Sequence, residues 1–117
     1  MYRVPANLKI DGIVGSALNQ ICLGRYDVQF HFDSDACISA QGTVDLLHGT
    51  DKISSWNDKN NWSSTGFQNL LNGKVVAYSV PNDRLLIVQF ESDFALHFHD
   101  DSDQYECIQI EPGGITI

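Results

Sequence analysis

Val28-Gln29-Phe30-His31-Phe32-Asp33-Ser34-Asp35-Ala36-Cys37-Ile38 returns 58 residues later as Leu86-Ile87-Val88-Gln89-Phe90-Glu91-Ser92-Asp93-Phe94-Ala95-Leu96. Internal similarity of this kind is the first clue to an architecture. Each stretch surrounds an acid-Ser-Asp triplet, and in the first Val28, Phe30 and Phe32 alternate with Gln29 and His31, which is the period of a β-strand. We therefore predict one β-hairpin unit present twice, in halves at about 12–48 and 72–110.

The spacing also predicts the register of each hairpin. A three-residue loop at 33–35 places Phe30 opposite Ile38, so that the apolar residues of both strands share one face. Loops of this length end in a residue with positive φ. Asp35 and Asp93 take that position, which Asp tolerates better than most residues.

The rest of the chain predicts fewer regular elements. Thr43–His48 and Gln104–Ile110 are each expected to add a third strand after a hairpin. The polar stretch 49–66 is typical of a loop. Phe67, followed by Leu70 and Leu71, indicates a short helix, capped within 63–65 and ended by Asn72-Gly73. The fold class predicted is mainly β: two curled antiparallel sheets, a sandwich or half-barrel, with one short helix in a single domain, 1–117.

The negative charge is concentrated near the C-terminus. The net charge is −8, and no Lys or Arg follows Arg84. Such a surface repels phosphate backbones, so direct nucleic-acid binding is not expected, whereas basic proteins are attracted. The acids after Arg84 are Glu91, Asp93, Asp100, Asp101, Asp103, Glu106 and Glu111.

Two histidines and two acids, in His97-Phe98-His99-Asp100-Asp101, form the best candidate for a metal site. On a strand the two imidazoles project to the same side, and the acids could complete a shell. A second His or Cys cluster at a ligand spacing is missing, so a solvated strand end is the stronger interpretation. We expect no metal and no cofactor. A small-ligand or divalent-metal binding module using His97, His99 and Asp101 is the alternative function.

The sequence offers little for catalysis. Cys22, Cys37 and Cys107 are an odd number without close pairing, which argues against a disulfide framework, and recognisable hydrolase or nucleotide-binding motifs are missing. We expect no enzymatic activity. Trp56 and Trp62 in the polar stretch are either plugs in the core or exposed interface anchors.

The N-terminal stretch has no continuous apolar run, and no stretch approaches the length of a membrane span. We therefore expect a cytoplasmic protein without membrane contact.

The duplicated Phe-x-x-Asp turn, followed by Tyr105-Glu106-x-Ile108-x-Ile110 and a Gly-rich end, resembles small bacterial immunity proteins. These neutralise the toxin domains of contact-dependent growth inhibition and other polymorphic toxin systems. The resemblance implies a cytoplasmic monomer that binds a basic toxin domain one to one, often a nuclease, without catalysis of its own. Immunity surfaces diverge quickly, so no functional residue transfers by motif.

The acidic C-terminal third is the partner-binding surface that we predict. A domain that instead self-associates through a sheet edge is a third, weaker possibility. The residues predicted to contact the partner are Glu91, Asp93, His97, His99, Asp100, Asp101, Asp103, Tyr105 and Glu106.

Overall fold

A computed structural model describes residues 4–57, 61–62, 66–100, 108–111 and 115–116. No described helix is long and apolar enough to cross a membrane. The regular structure of these residues is β-strands and three 3₁₀ turns, at Asp11–Ile13, Phe67–Leu70 and Glu91–Asp93. The strands are β1 (Leu18–Leu23), β2 (Val28–Phe32), β3 (Cys37–Ala40), β4 (Val44–His48), β5 (Asp51–Asn57), β6 (Asn61–Trp62), β7 (Val75–Asn82), β8 (Leu85–Phe90), β9 (Phe94–His99), β10 (Ile108–Glu111) and β11 (Ile115–Thr116).

The strands form two antiparallel sheets, as predicted. The first has the order β1-β2-β3-β10-β11 and the second β6-β5-β4-β9-β8-β7. Four and five longer strands are each extended at one edge by a two-residue strand, β11 or β6. The predicted curling is wrong, because the sheets are not curled. Between the edge strand β7 and the segment before β1 there are only isolated bridges, at Val14–Val75 and Ala17–Lys74, so these edges do not close into a barrel.

Both hairpins have the predicted register. Phe30 lies opposite Ile38 in β2 and β3, and β8 pairs with β9 in the equivalent register. The connecting turns use positive φ at Asp35 (66°) and Asp93 (65°), and Ser92 also has φ of 69°. Asp35 and Asp93 are therefore in the left-handed conformation that the loop length requires.

The third strand after each hairpin lies in the opposite sheet. β4 pairs with β9, which places Val44 opposite Phe98. β10 pairs with β3 in the corresponding register, with Ile108 opposite Ala40. Because the chain crosses between the sheets at 41–43, β3 is left with a free side, and β10 covers it. Each sheet therefore contains strands from both halves of the chain.

Aromatic side chains join the two sheets across one core. The rings of Phe30 and Phe98 meet edge to face with centroids 5.6 Å apart, and Phe32 stacks on Phe90 at 6.4 Å. All four are buried. Geometries of this kind add to the stabilisation that burial of the rings already provides.

The prediction of a loop over 49–66 is wrong for most of the part that the structure describes. β5 occupies Asp51–Asn57 and pairs with β4. Trp56 is fully buried, so it is a core plug and not an exposed anchor, and Ser54, two residues earlier on the same face of the strand, is also buried. The polar residues of this stretch hid the strand, which is stabilised by its pairing with β4 and by the burial of one large ring.

The predicted short helix is a single 3₁₀ turn at Phe67–Leu70. Gly66 precedes it with φ of 155° and offers no side-chain cap, and the predicted caps at 63–65 lie outside the described residues. Four residues are too few to recover the cost of nucleating an α-helix. The turn is held instead by burial of Phe67 and Leu70.

A segment preceding β1 packs along β7. The Tyr78 hydroxyl donates to Asp11 Oδ1 at 2.6 Å and accepts the Ile10 N–H at 3.0 Å. The hydrogen bond to Asp11 raises the pKa of Tyr78. Gly15 N–H donates to Val75 O at 2.7 Å, so backbone bonds cover the start of this edge strand.

Candidate functional site

Among the nine residues predicted to bind a partner, those that the structure describes do not form one cluster. Asp101, Asp103, Tyr105 and Glu106 lie outside the described residues. The other five are divided among a turn, the outer face of the second sheet and a buried position. Those five are Glu91, Asp93, His97, His99 and Asp100.

Glu91 and Asp93 are exposed on the turn between β8 and β9. The turn is fixed by its backbone, because Glu91 N–H donates to Lys74 O at 2.9 Å and Asp93 O accepts Gly49 N–H at 3.0 Å. Within the described part of the chain, neither carboxylate forms a hydrogen bond or an ion pair. Both are therefore oriented by a fixed backbone and open to a partner.

Asp100 does not belong to the surface that was predicted. Its exposed fraction is 1%. The residue directly follows β9, and its backbone N–H donates to Arg84 O at 2.9 Å while its carbonyl accepts from Arg84 Nη1 at 3.3 Å. A carboxylate at this exposure cannot touch a partner without rearrangement of the chain around it.

His97 and His99 project to the same side of β9, as expected from the strand period. Phe98 between them is fully buried, and the two ring centroids are 6.4 Å apart. His99 Nε2 lies 3.0 Å from Oδ2 of Asp45, a residue of β4 that the sequence did not single out. At about 3.4 Å per residue, His99 is about 20 Å along the strand from Asp93. The histidines and the acidic turn are separate features.

Partial burial lowers the pKa of His97, and the neighbouring charge of His99 lowers it further, against the opposing effect of Asp45. The folded state thus favours neutral His97, while the unfolded chain binds a proton at the ordinary pKa, about 6.5. Its contribution to stability is complete above that pH and is lost as pH falls through the lower folded pKa.

We expect His97→Gln to lose less stability between pH 7 and pH 5 than the wild type, because the proton uptake on unfolding is removed. The measurement is the free energy of unfolding from urea titrations across that range. Asp45→Asn provides the opposing variant and should steepen the loss of stability. Identical slopes for His97→Gln and the wild type would contradict this assignment.

The described residues hold no group of three His, Cys, Asp or Glu side chains arranged to bind a metal ion. His97, His99 and Asp45 lie near one another, but one carboxylate oxygen of Asp45 is already engaged by His99. Asp101, the third ligand predicted from the sequence, lies outside the described residues. The metal-binding alternative therefore gains no support from this part of the chain.

The outer face of the first sheet carries a thiol next to an imidazole. Cys37 Sγ lies 3.9 Å from His31 Nε2. Gln29 donates its amide to Asp27 at 3.1 Å, so its oxygen accepts from His31 Nε2–H, also at 3.1 Å. The nitrogen facing the thiol thus carries hydrogen and cannot act as its base. Burial raises the pKa of Cys37, so this arrangement does not supply the thiolate that nucleophilic catalysis requires.

A backbone ladder joins the acidic turns of the two hairpins. Asp33 N–H donates to Ala17 O at 2.9 Å, Ala17 forms an antiparallel bridge with Lys74, and Lys74 O accepts from Glu91 N–H. The stacked rings of Phe32 and Phe90 end the strands that lead into these turns. Both turns therefore project from the same end of the molecule.

We name this feature the acidic end and define it by its four exposed carboxylates. Asp33 is oriented by Asn19, whose Nδ2 donates to it at 2.9 Å. The two residues of the first hairpin were absent from the predicted site, although the 58-residue offset maps them onto Glu91 and Asp93. The acidic end comprises Asp33, Asp35, Glu91 and Asp93.

Comparison with protein-family models, curated proteins and solved structures finds no match to this chain. Function is therefore inferred from the geometry and the charge of the chain's own residues.

Proposed function

We propose that this chain is a cytoplasmic immunity protein that binds a basic toxin domain one to one and neutralises it without catalysis. The observation that carries the proposal is the acidic end, where exposed carboxylates from both halves meet. A basic nuclease binds the negatively charged backbone of its substrate, and exposed carboxylates present the same sign of charge to its active site. The resemblance of the duplicated hairpins to immunity proteins points the same way.

The acidic end suits attraction at a distance better than tight pairing. The carboxylates of the two turns are all exposed to solvent, so physiological salt screens their mutual repulsion and the folded chain tolerates them. A positive surface nevertheless meets their summed potential. Complementary charge of this kind raises association rates towards about 10⁸–10⁹ M⁻¹s⁻¹ at low salt.

The exchanged third strands support a further part of the proposal, that the two halves are tandem copies of one unit. β4 joins β9 in the register in which β10 joins β3. A duplication that keeps both turns would present the same acid-Ser-Asp loop twice at one end, and would double the local charge without a new fold.

We expect neutralisation of the acidic end to slow association with a basic partner by about tenfold or more at low salt and to flatten its salt dependence. The substitutions are Asp33→Asn, Asp35→Asn, Glu91→Gln and Asp93→Asn. Asn suits the two positive-φ positions, where Lys would strain the backbone. Stopped-flow binding is measured with a labelled oligolysine peptide as the basic partner.

The matched control removes one charge from the opposite end. Asp83→Asn alters an exposed acid next to the start of β8, whereas Glu91→Gln alters one just after its end. The proposal requires Glu91→Gln to bind more slowly and Asp83→Asn to bind like the wild type. Equal rates for the fourfold variant and the wild type would remove the acidic end as the binding surface.

A further inference from the structure

A cleft opens beside the acidic turn of the second hairpin. Its volume is about 210 Å³, which is smaller than the roughly 300–1,000 Å³ of pockets for drug-sized ligands. The cleft lies between the segment that follows Phe67 and the turn at Glu91–Asp93. Its lining includes Leu70, Leu71, Phe90, Glu91, Ser92 and Phe94.

The first half carries a cleft of about 190 Å³ in the equivalent place. The 58-residue offset relates Ile13 to Leu71, Ser34 to Ser92, and Ala36 to Phe94, and each member of a pair lines its own cleft. The cleft is thus a feature of the repeated unit and not an accident of one loop.

The two clefts differ in how their charges are engaged and in apolar surface. Lys9, Asp11 and Glu111 line the first cleft, and Asp11 already accepts a hydrogen bond from the Tyr78 hydroxyl, whereas Glu91 is the charged residue among those that line the second. In the second cleft Phe94 replaces an alanine, and its ring is stacked on His48 with centroids 4.5 Å apart. Leu71 is 41% exposed there. The second cleft combines an apolar wall that water still reaches with an unpaired carboxylate, that of Glu91.

We propose that the second cleft receives a single Lys or Arg side chain of the basic partner, an inference that rests on the proposed function. The methylene groups would lie against Leu71 and Phe94, because long basic side chains bury their stems on apolar surface and keep the charged head in water. The head pairs with Glu91, and the face of Phe94 adds attraction to a cation. The volume admits one side chain and excludes a longer peptide segment.

The site has the fixed geometry that such a contact needs. Glu91 is anchored by its N–H to Lys74 O at 2.9 Å, and Gly73 N–H donates to Leu70 O at 2.9 Å in the opposite wall. An anionic ligand is repelled by the Glu91 carboxylate, and a neutral apolar ligand gains nothing from that charge.

The test is an NMR titration of the full chain with N-acetyl-arginine amide, with the neutral analogue N-acetyl-citrulline amide as the matched ligand. We expect saturable shifts of the backbone amides of Leu71, Gly73 and Phe94, with the amides of Ile13 and Ala36 unmoved. Citrulline amide should bind about fivefold more weakly, the change that one exposed ion pair gives. Glu91→Gln should remove this preference, and Asp83→Asn, which removes an exposed charge at the opposite end of β8, should keep it.

Equal shifts with both ligands, equal shifts in both clefts, or no saturable shift at high millimolar ligand would overturn the cleft assignment. Phe94→Ala supplies an independent check, because it should weaken arginine amide while leaving the acidic end intact. Failure of the cleft and failure of the proposed function are distinguishable with the oligolysine peptide. If the peptide binds the wild type and Phe94→Ala equally, only the cleft assignment fails; if it binds neither, the acidic-end proposal fails as well.

Discussion

Replacing Phe98 by alanine is expected to lower the free energy of unfolding by about 3–5 kcal/mol, the range for a large aromatic ring removed from a packed core. Phe98 is fully buried and lies opposite Val44 on one side and Leu86 on the other. It also meets the edge of the Phe30 ring in the first sheet. One truncation therefore weakens the junction of β4, β8 and β9 together with the contact between the sheets.

For a chain of this length the loss corresponds to a fall in melting temperature on the order of 10–20 °C. The measurement is chemical and thermal unfolding followed by circular dichroism. Val76→Ala is the control, since Val76 is 55% exposed on β7, and a surface truncation of this kind stays within about 0.5 kcal/mol. A Phe98→Ala variant as stable as this control would show that the two sheets do not share the core described above.

The hairpins were predictable because two independent signals agreed. The alternation of apolar residues around 33–35 required the face-sharing register, and the repeat at 91–93 supplied the same pattern again. Positive φ at Asp35 followed from loop length alone. Local chemistry and the period of the strand are sufficient where partner strands are adjacent in the chain.

The strand exchange was not predictable from the same signals. Nothing in Val44–His48 distinguishes a strand that pairs with β3 from one that pairs with β9, because its inward residues are apolar in either sheet. β5 was missed for a related reason. The stretch around Trp56 is mostly polar, and the burial of its few apolar residues depends on strands that are distant in the sequence. Long-range pairing overrides local propensity in such stretches.

The candidate site was predicted only in part, because charge was read along the chain instead of in space. Glu91 and Asp93 are exposed as expected, yet Asp100 is buried nine residues after the start of their turn. Glu111, the last acid of the chain, lies on β10 in the other sheet. The acids that lie at the same end of the molecule as Glu91 and Asp93 come from the first hairpin. In the sequence, only the 58-residue repeat could have identified them, because it predicts equivalent turns in both halves.

A chain cut between Asn57 and Asn61 is expected to remain one particle. The N-terminal fragment supplies β4 and β5 to the second sheet, and the C-terminal fragment supplies β10 and β11 to the first. Because each fragment completes a sheet of the other, the cut leaves both ladders intact apart from the broken connection. A protease recognition sequence inserted at this point and then cleaved tests it by size-exclusion chromatography in native buffer, where a single peak of unchanged volume is expected.

Leu46→Ala makes the exchange quantitative in the cut chain. Leu46 is part of the N-terminal fragment. It is fully buried on β4, opposite Leu96 of β9, which belongs to the C-terminal fragment. A loss of about 2–5 kcal/mol on truncation becomes a dissociation constant about 30-fold to several thousand-fold higher between the fragments. Leu23→Ala, at a position 56% exposed on β1, should leave that constant unchanged. Unsubstituted fragments that separate would mean that the exchanged strands do not hold the halves together. Isolated fragments that each keep the full β-strand signal in circular dichroism would mean that the halves fold independently.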